Sequence, residues 1–103
     1  MDRLEALRAM LAENPDNSFA RYGLAIEYVR SGRPEEALAE YRELLERDPD
    51  YAAAYYHGGR ALEQLSRFEE AREWYTRGIE LTSRTGDAHA QSELQAALDL
   101  LPI

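Results

Sequence analysis

Side chains able to do covalent or acid–base chemistry are few in this chain. His57 and His89 are the only imidazoles and there is no cysteine. Nucleophilic catalysis needs a nucleophile held by a base that a third group orients, and nothing here suggests such a set; an isolated histidine in a helical pattern is ordinarily a surface or groove residue. The run His57-Gly58-Gly59-Arg60 resembles a phosphate loop only in its glycines. A phosphate loop stands between a strand and a helix N-terminus, whereas this run lies inside a helical pattern. Its glycines therefore read as close helix packing, at about 1 kcal/mol each in lost helix propensity. The carboxylate pairs Glu35/Glu36 and Glu69/Glu70 are adjacent in sequence, so they diverge on a helix and do not form the facing dyad of a glycosidase-type site. In the first turns of their helices they complement the dipole, each by about 0.3–1 kcal/mol. Trp74, beside Tyr75, reads as packing between hairpins, and the serines and threonines as caps near helix ends. No catalytic or metal-ligating set emerges and no cofactor is implied; the expectation is a protein that is not an enzyme.

Bulk properties narrow the partners. The 103 residues fit one domain; 45% are hydrophobic and 31% charged, the balance of a folded chain. The net charge of −8 and the lack of any arginine run oppose binding to phosphate backbones and to anionic membrane surfaces. No apolar run approaches the roughly 20 residues of a membrane span, and the charged opening segment is unlike a signal peptide. The cytoplasm is the expected compartment, with a protein or peptide as partner and neither nucleic acid nor membrane.

The elements come from an internal repeat. A shift of 34 residues lays Arg33–Glu46 on Arg67–Glu80, with identity at Arg33/Arg67, Glu35/Glu69, Glu36/Glu70, Ala37/Ala71, Tyr41/Tyr75 and Glu46/Glu80. Ala20/Ala54, Tyr22/Tyr56 and the punctuation Pro15-Asp16/Pro49-Asp50 keep the same offset. Such a period is the signature of stacked supersecondary units. Between the breakers lie six helical stretches: about 2–13, with Asp2 as N-cap and Glu5 three residues on; 17–31, stopping at Gly32; one opened by Pro34 at its first turn and ended before Pro49; 51–65; one capped by Ser66 with Glu69 three residues on; and one after Gly86, capped by Asp87 and carrying Ala90, Leu94, Ala97, Leu98 and Leu101. No segment alternates with period two, so no strand is expected. Short connections make neighbouring helices antiparallel. The expected fold is all-α: one domain comprising an opening helix (1–16), two repeats (17–50 and 51–84) and a C-terminal capping helix (85–103).

These residues resemble the tetratricopeptide repeat family, most strongly over 17–83. The resemblance rests on Leu24-Ala25, Tyr28, Gly32, Ala37, Tyr41 and Pro49 in the first unit, and on Tyr55, Gly59, Leu62, Phe68, Ala71 and Tyr75 in the second. Departures are Arg21 at the family's aromatic position, Leu44 at a small one, Gly58 at a leucine, and Ser83 at the closing proline; losing that proline predicts a longer fifth helix. The resemblance implies helical hairpins stacked as a short right-handed superhelix, the first helix of each hairpin lining a concave face. It also implies a protein–protein interaction scaffold, with Phe19, Tyr22, Ile26, Val29 and Arg30, then Tyr56, Arg60 and Glu63, facing the groove. Helix 17–31 carries two apolar stripes: Ala20, Leu24 and Tyr28, and opposite them Phe19, Tyr22, Ile26 and Val29. Either the second stripe meets a partner or neighbouring helices cover it, and the alternative to a groove binder is a structural homodimer with no separate ligand. The lysine/asparagine set by which some members clamp a terminal carboxylate is missing, since Tyr22 and Ile26 stand there.

Overall fold

A computed structural model describes residues 2–103; Met1, the first residue of the opening segment, lies outside them. Among the described residues there are six helices and no strand: α1 (Arg3–Glu13), α2 (Ser18–Arg30), α3 (Pro34–Arg47), α4 (Ala52–Gln64), α5 (Phe68–Thr85) and α6 (Ala88–Asp99). Each helix packs on the next, and α4 also touches α6, as expected of hairpins stacked in sequence order. α5 is the long helix, at 18 residues, consistent with the missing proline at Ser83.

Caps set the boundaries. The Asp2 side chain accepts from the Glu5 N–H at 2.8 Å, Asn17 from Ala20 at 3.0 Å, and Asp87 from Ala90 at 3.1 Å, each satisfying a helix-end donor. Pro34 opens α3. α2 and α4 end in the same motif one repeat apart. Arg33 N–H donates to the Tyr28 carbonyl and Arg67 N–H to Leu62, both at 2.8 Å, closing Schellman turns. The residues at the left-handed position of those turns are Gly32 (φ 71°) and Ser66 (φ 58°). Ser66 therefore does not cap α5, contrary to the sequence expectation. It terminates α4, and α5 begins after Arg67, which makes no side-chain cap bond.

The core follows the repeat. Ala37 and Ala71 are wholly buried, as are Tyr41 and Tyr75. Leu24 and Tyr28 of α2 join Leu38 and Leu44 of α3, and Leu62 of α4 joins Trp74 of α5, in one apolar cluster. The glycines of α4 are close-approach sites: a Cβ at Gly58 would run into the Trp74 indole, and one at Gly59 into the Tyr75 ring. At Gly78 a Cβ would meet Leu94 Cδ1 at 2.8 Å and Tyr55 Cβ at 2.9 Å, which seats α6 on α5. α1 buries only Leu7, and its Met10 is 40% exposed.

The departures at Arg21 and Gly58 have a shared cause. In the first hairpin Arg21 donates to the Pro15 carbonyl at 3.0 Å and pairs with Glu40 at 2.7 Å. In the second, Tyr55 stands in Arg21's place and its hydroxyl donates to the equivalent Pro49 carbonyl at 2.9 Å. Trp74 replaces Glu40, and Gly58 replaces Leu24 to make room for the indole. One hairpin fills this corner with an ion pair and a leucine, the other with two aromatic rings and no side chain at Gly58.

Candidate functional site

The first helices of the hairpins, α2 and α4, and the terminal α6 form one wall. Along it run three adjoining hollows. The first, of about 190 Å³, lies between α2 and α4 and is lined by Ile26, Val29, Arg30, Tyr41, His57, Arg60, Ala61 and Gln64. A wider, shallower one of about 490 Å³ shares Val29, His57, Arg60 and Gln64 and adds Tyr56 and Glu63. The third, of about 160 Å³, lies between α4 and α6, where Ala53, Tyr56 and His57 face Asp87, Ala90, Glu93 and Leu94.

The expected groove residues distribute unevenly over this wall. Ile26, Val29, Arg30, Tyr56, Arg60 and Glu63 all line it. Tyr22 is half-buried, its ring 5.4 Å from that of Tyr51, 5.5 Å from His57 and 6.5 Å from Tyr41. Phe19 lines none of these hollows and is 67% exposed at the start of α2. The second stripe of α2 is thus covered in part by α3 and α4 at Tyr22, open along the wall at Ile26 and Val29, and free at Phe19. His57, outside the expected groove set, sits at the centre of all three hollows between Tyr22 and Tyr56. Its place was legible in the repeat, which puts it next to Tyr56 on α4, but its type suggested nothing.

Charge is partitioned along the wall. In a chain of net charge −8, the α2–α4 hollow holds two arginines, a histidine and no carboxylate, while the α4–α6 hollow holds Asp87 and Glu93. Burial pushes the His57 pKa down, and the Arg60 guanidinium adds to the effect against the pull of Glu93. Burial likewise holds the Tyr22, Tyr41 and Tyr75 hydroxyls protonated, and the Glu63 carboxylate reinforces this at Tyr75. Tyr75 donates a short hydrogen bond to Glu63, so that carboxylate is engaged within the fold as well as facing the wall. Among the described residues no group of three or more His, Cys, Asp or Glu side chains is placed to hold a metal. No helix among them is long and apolar enough to cross a membrane.

Comparison with known proteins identifies this geometry. Residues 22–88 match the tetratricopeptide repeat family model. The chain belongs to the tetratricopeptide repeat family. It is 30% identical over 95 residues to a repeat-containing protein of Pseudomonas aeruginosa, spanning 92% of this chain and 90% of that one. Among solved structures, the tetratricopeptide repeat domain protein of Salinibacter ruber superposes with a TM-score of 0.75 at 41% identity, over 80% of this chain and 91% of that one. The yeast Sti1 TPR2B domain, solved in complex with pHsp70, superposes with a TM-score of 0.87 over 92% of this chain and 76% of that one, its 17% identity reflecting fold alone. Tetratricopeptide repeats are generally protein-interaction modules and typically non-enzymatic.

Proposed function

We propose that this tetratricopeptide repeat protein is an interaction adaptor that docks one segment of a partner polypeptide along the wall of α2, α4 and α6. The observation carrying this reading is the run of adjoining hollows there, apolar at Ile26 and Val29, aromatic at Tyr56, and rimmed by Arg30, Arg60 and Glu63, with the Tyr22 ring packed behind them on His57. Apolar anchors between placed polar groups are what helix-in-groove and extended-peptide recognition require. Phe19 extends the apolar surface beyond the hollows at the start of α2 and supplies an anchor for a segment that continues past them.

The test is selection of binding peptides from a random displayed library on the full chain. Tyr22→Ala with Tyr56→Ala should weaken the selected peptides at least tenfold. Because Tyr22 also packs on Tyr41 and Tyr51, Arg60→Glu, on an exposed side chain, provides a second variant that leaves the core intact. Peptides that bind all three chains equally would remove the wall from consideration. Sedimentation across a concentration series distinguishes the self-association reading, in which a second copy covers Tyr22 and Tyr56 and no peptide is selected.

A further inference from the structure

The two repeats differ at one buried oxygen. Tyr41 and Tyr75 hold equivalent places 34 residues apart and neither side chain has exposed surface. The Tyr75 hydroxyl donates to Glu63. The residue 34 positions before Glu63 is Val29, whose side chain has no acceptor to offer, and among the described residues the buried Tyr41 hydroxyl has no hydrogen-bond partner. A buried hydroxyl left unpaired costs about 1–3 kcal/mol, and such an orphan calls for an explanation in a folded protein.

The surroundings of Tyr41 say what is missing. It lines the α2–α4 hollow beside Val29, beneath the arginines and histidine noted above. On the α4 side the hollow is rimmed by Arg60 and Gln64, both exposed. Among the described residues Arg30 pairs with Glu27 alone, at 3.3 Å, while Arg60 lies 3.9 Å from Glu63 and donates to the Tyr56 hydroxyl at 3.4 Å, so both guanidinium groups retain donors. We propose that this hollow receives a glutamate side chain of the partner segment, its carboxylate accepting from Tyr41 as Glu63 accepts from Tyr75 and pairing with Arg30 and Arg60 at the rim. A glutamate, rather than a chain-terminal carboxylate, is the occupant because the internal counterpart is a glutamate side chain. Since the Tyr41 oxygen is almost inaccessible, the exposed Arg30, Arg60 and Gln64 side chains turn aside as the carboxylate enters.

This inference rests on the wall being a peptide site, and its test is separable from that reading. The isotope-labelled full chain is titrated with N-acetylglutamate N-methylamide, its glutamine analogue, and N-acetylalanine, which carries only a terminal carboxylate. Expected are saturable amide shifts at Val29, His57 and Ala61 with the glutamate probe, at least fivefold tighter than with either of the others. Tyr41→Phe, which keeps the ring and the packing, should weaken that binding about tenfold. Val29→Glu should abolish it, by supplying the acceptor from within. Helicity measured on both variants guards against misfolding. Equal binding of glutamate and glutamine probes, tighter binding of N-acetylalanine, no binding at all, or glutamate binding indifferent to Tyr41→Phe would each overturn the assignment. In the library selection, glutamate should be enriched on the wild-type chain and lose its enrichment on Val29→Glu. Selected peptides that depend on Tyr22 and Tyr56 yet show no such enrichment would leave the docking wall standing and remove the glutamate site.

Discussion

Ser66 holds a backbone conformation that glycine adopts freely and that costs an L-residue roughly 1–2 kcal/mol. Its repeat-mate Gly32 shows the alternative at the same turn, with φ of 71° against 58°. Ser66→Gly is therefore expected to stabilise the chain by about 1 kcal/mol, raising the melting temperature by about 4–8 °C for a domain of this size. The paired tyrosines give an opposite-signed comparison. Tyr41→Phe removes an unpartnered oxygen and should hold or raise the melting temperature, whereas Tyr75→Phe breaks the bond to Glu63 and should cost about 1 kcal/mol. Urea denaturation of the two variants side by side measures the difference. His57 sets a pH dependence. Its folded pKa lies below the ordinary value near 6.5, so the unfolded chain takes up the proton first. The stability that His57 contributes is complete above about pH 6.5 and is lost as pH falls through the depressed folded value. The slope of melting temperature between pH 7.5 and 5.5 should flatten in His57→Gln.

Complementary shape decides the second hairpin. Gly58→Leu alone forces a side chain into the Trp74 indole and should cost several kcal/mol, overpacking plus displaced rings. Combined with Trp74→Ala, the new leucine occupies space the indole vacates, as Leu24 does beside Glu40. A double-mutant cycle should return a favourable coupling above about 1 kcal/mol. Ala71 is wholly buried, so Ala71→Arg would bury an unpaired charge and should abolish the cooperative melt seen by circular dichroism. The helices themselves were legible in the sequence because their boundaries rest on local chemistry: Asp2, Pro34, Gly86 and Asp87 act within one turn of where they stand. Ser66 misled because serine is a common N-cap, and the left-handed turn that claims it is imposed by the hydrogen bond of Arg67 to Leu62, which no residue type announces.

Across the whole molecule, each helix depends on its neighbours in line, and the ends are held from one side. α1 buries a single residue, Leu7, against Gly23, so its amides should exchange with solvent fastest among the helices, with α3, α4 and α5 slowest; native-state hydrogen exchange reads this order directly. The groove was legible only as a set of positions implied by the family resemblance. Its chemistry was not, because the orphaned Tyr41 oxygen appears only when two hairpins are compared at a fixed offset and Val29 is found where an acceptor should be. Phe19 shows the complementary limit: periodicity put it on the stripe with Ile26, yet it is exposed at the start of α2 and lines none of the hollows.

The glycine pair of α4 also bears on the order of assembly. A thirteen-residue helix with Gly58 and Gly59 at its middle is weak in isolation, and it gains order only as two aromatic rings from α5 close over its backbone. The earlier hairpin carries no such dependence, so it should nucleate refolding while the later one condenses onto it. Trp74, the sole indole, would then report the late event. In stopped-flow refolding its fluorescence should lag the recovery of helical ellipticity, and Gly59→Ala should slow the fluorescence phase while sparing the faster one.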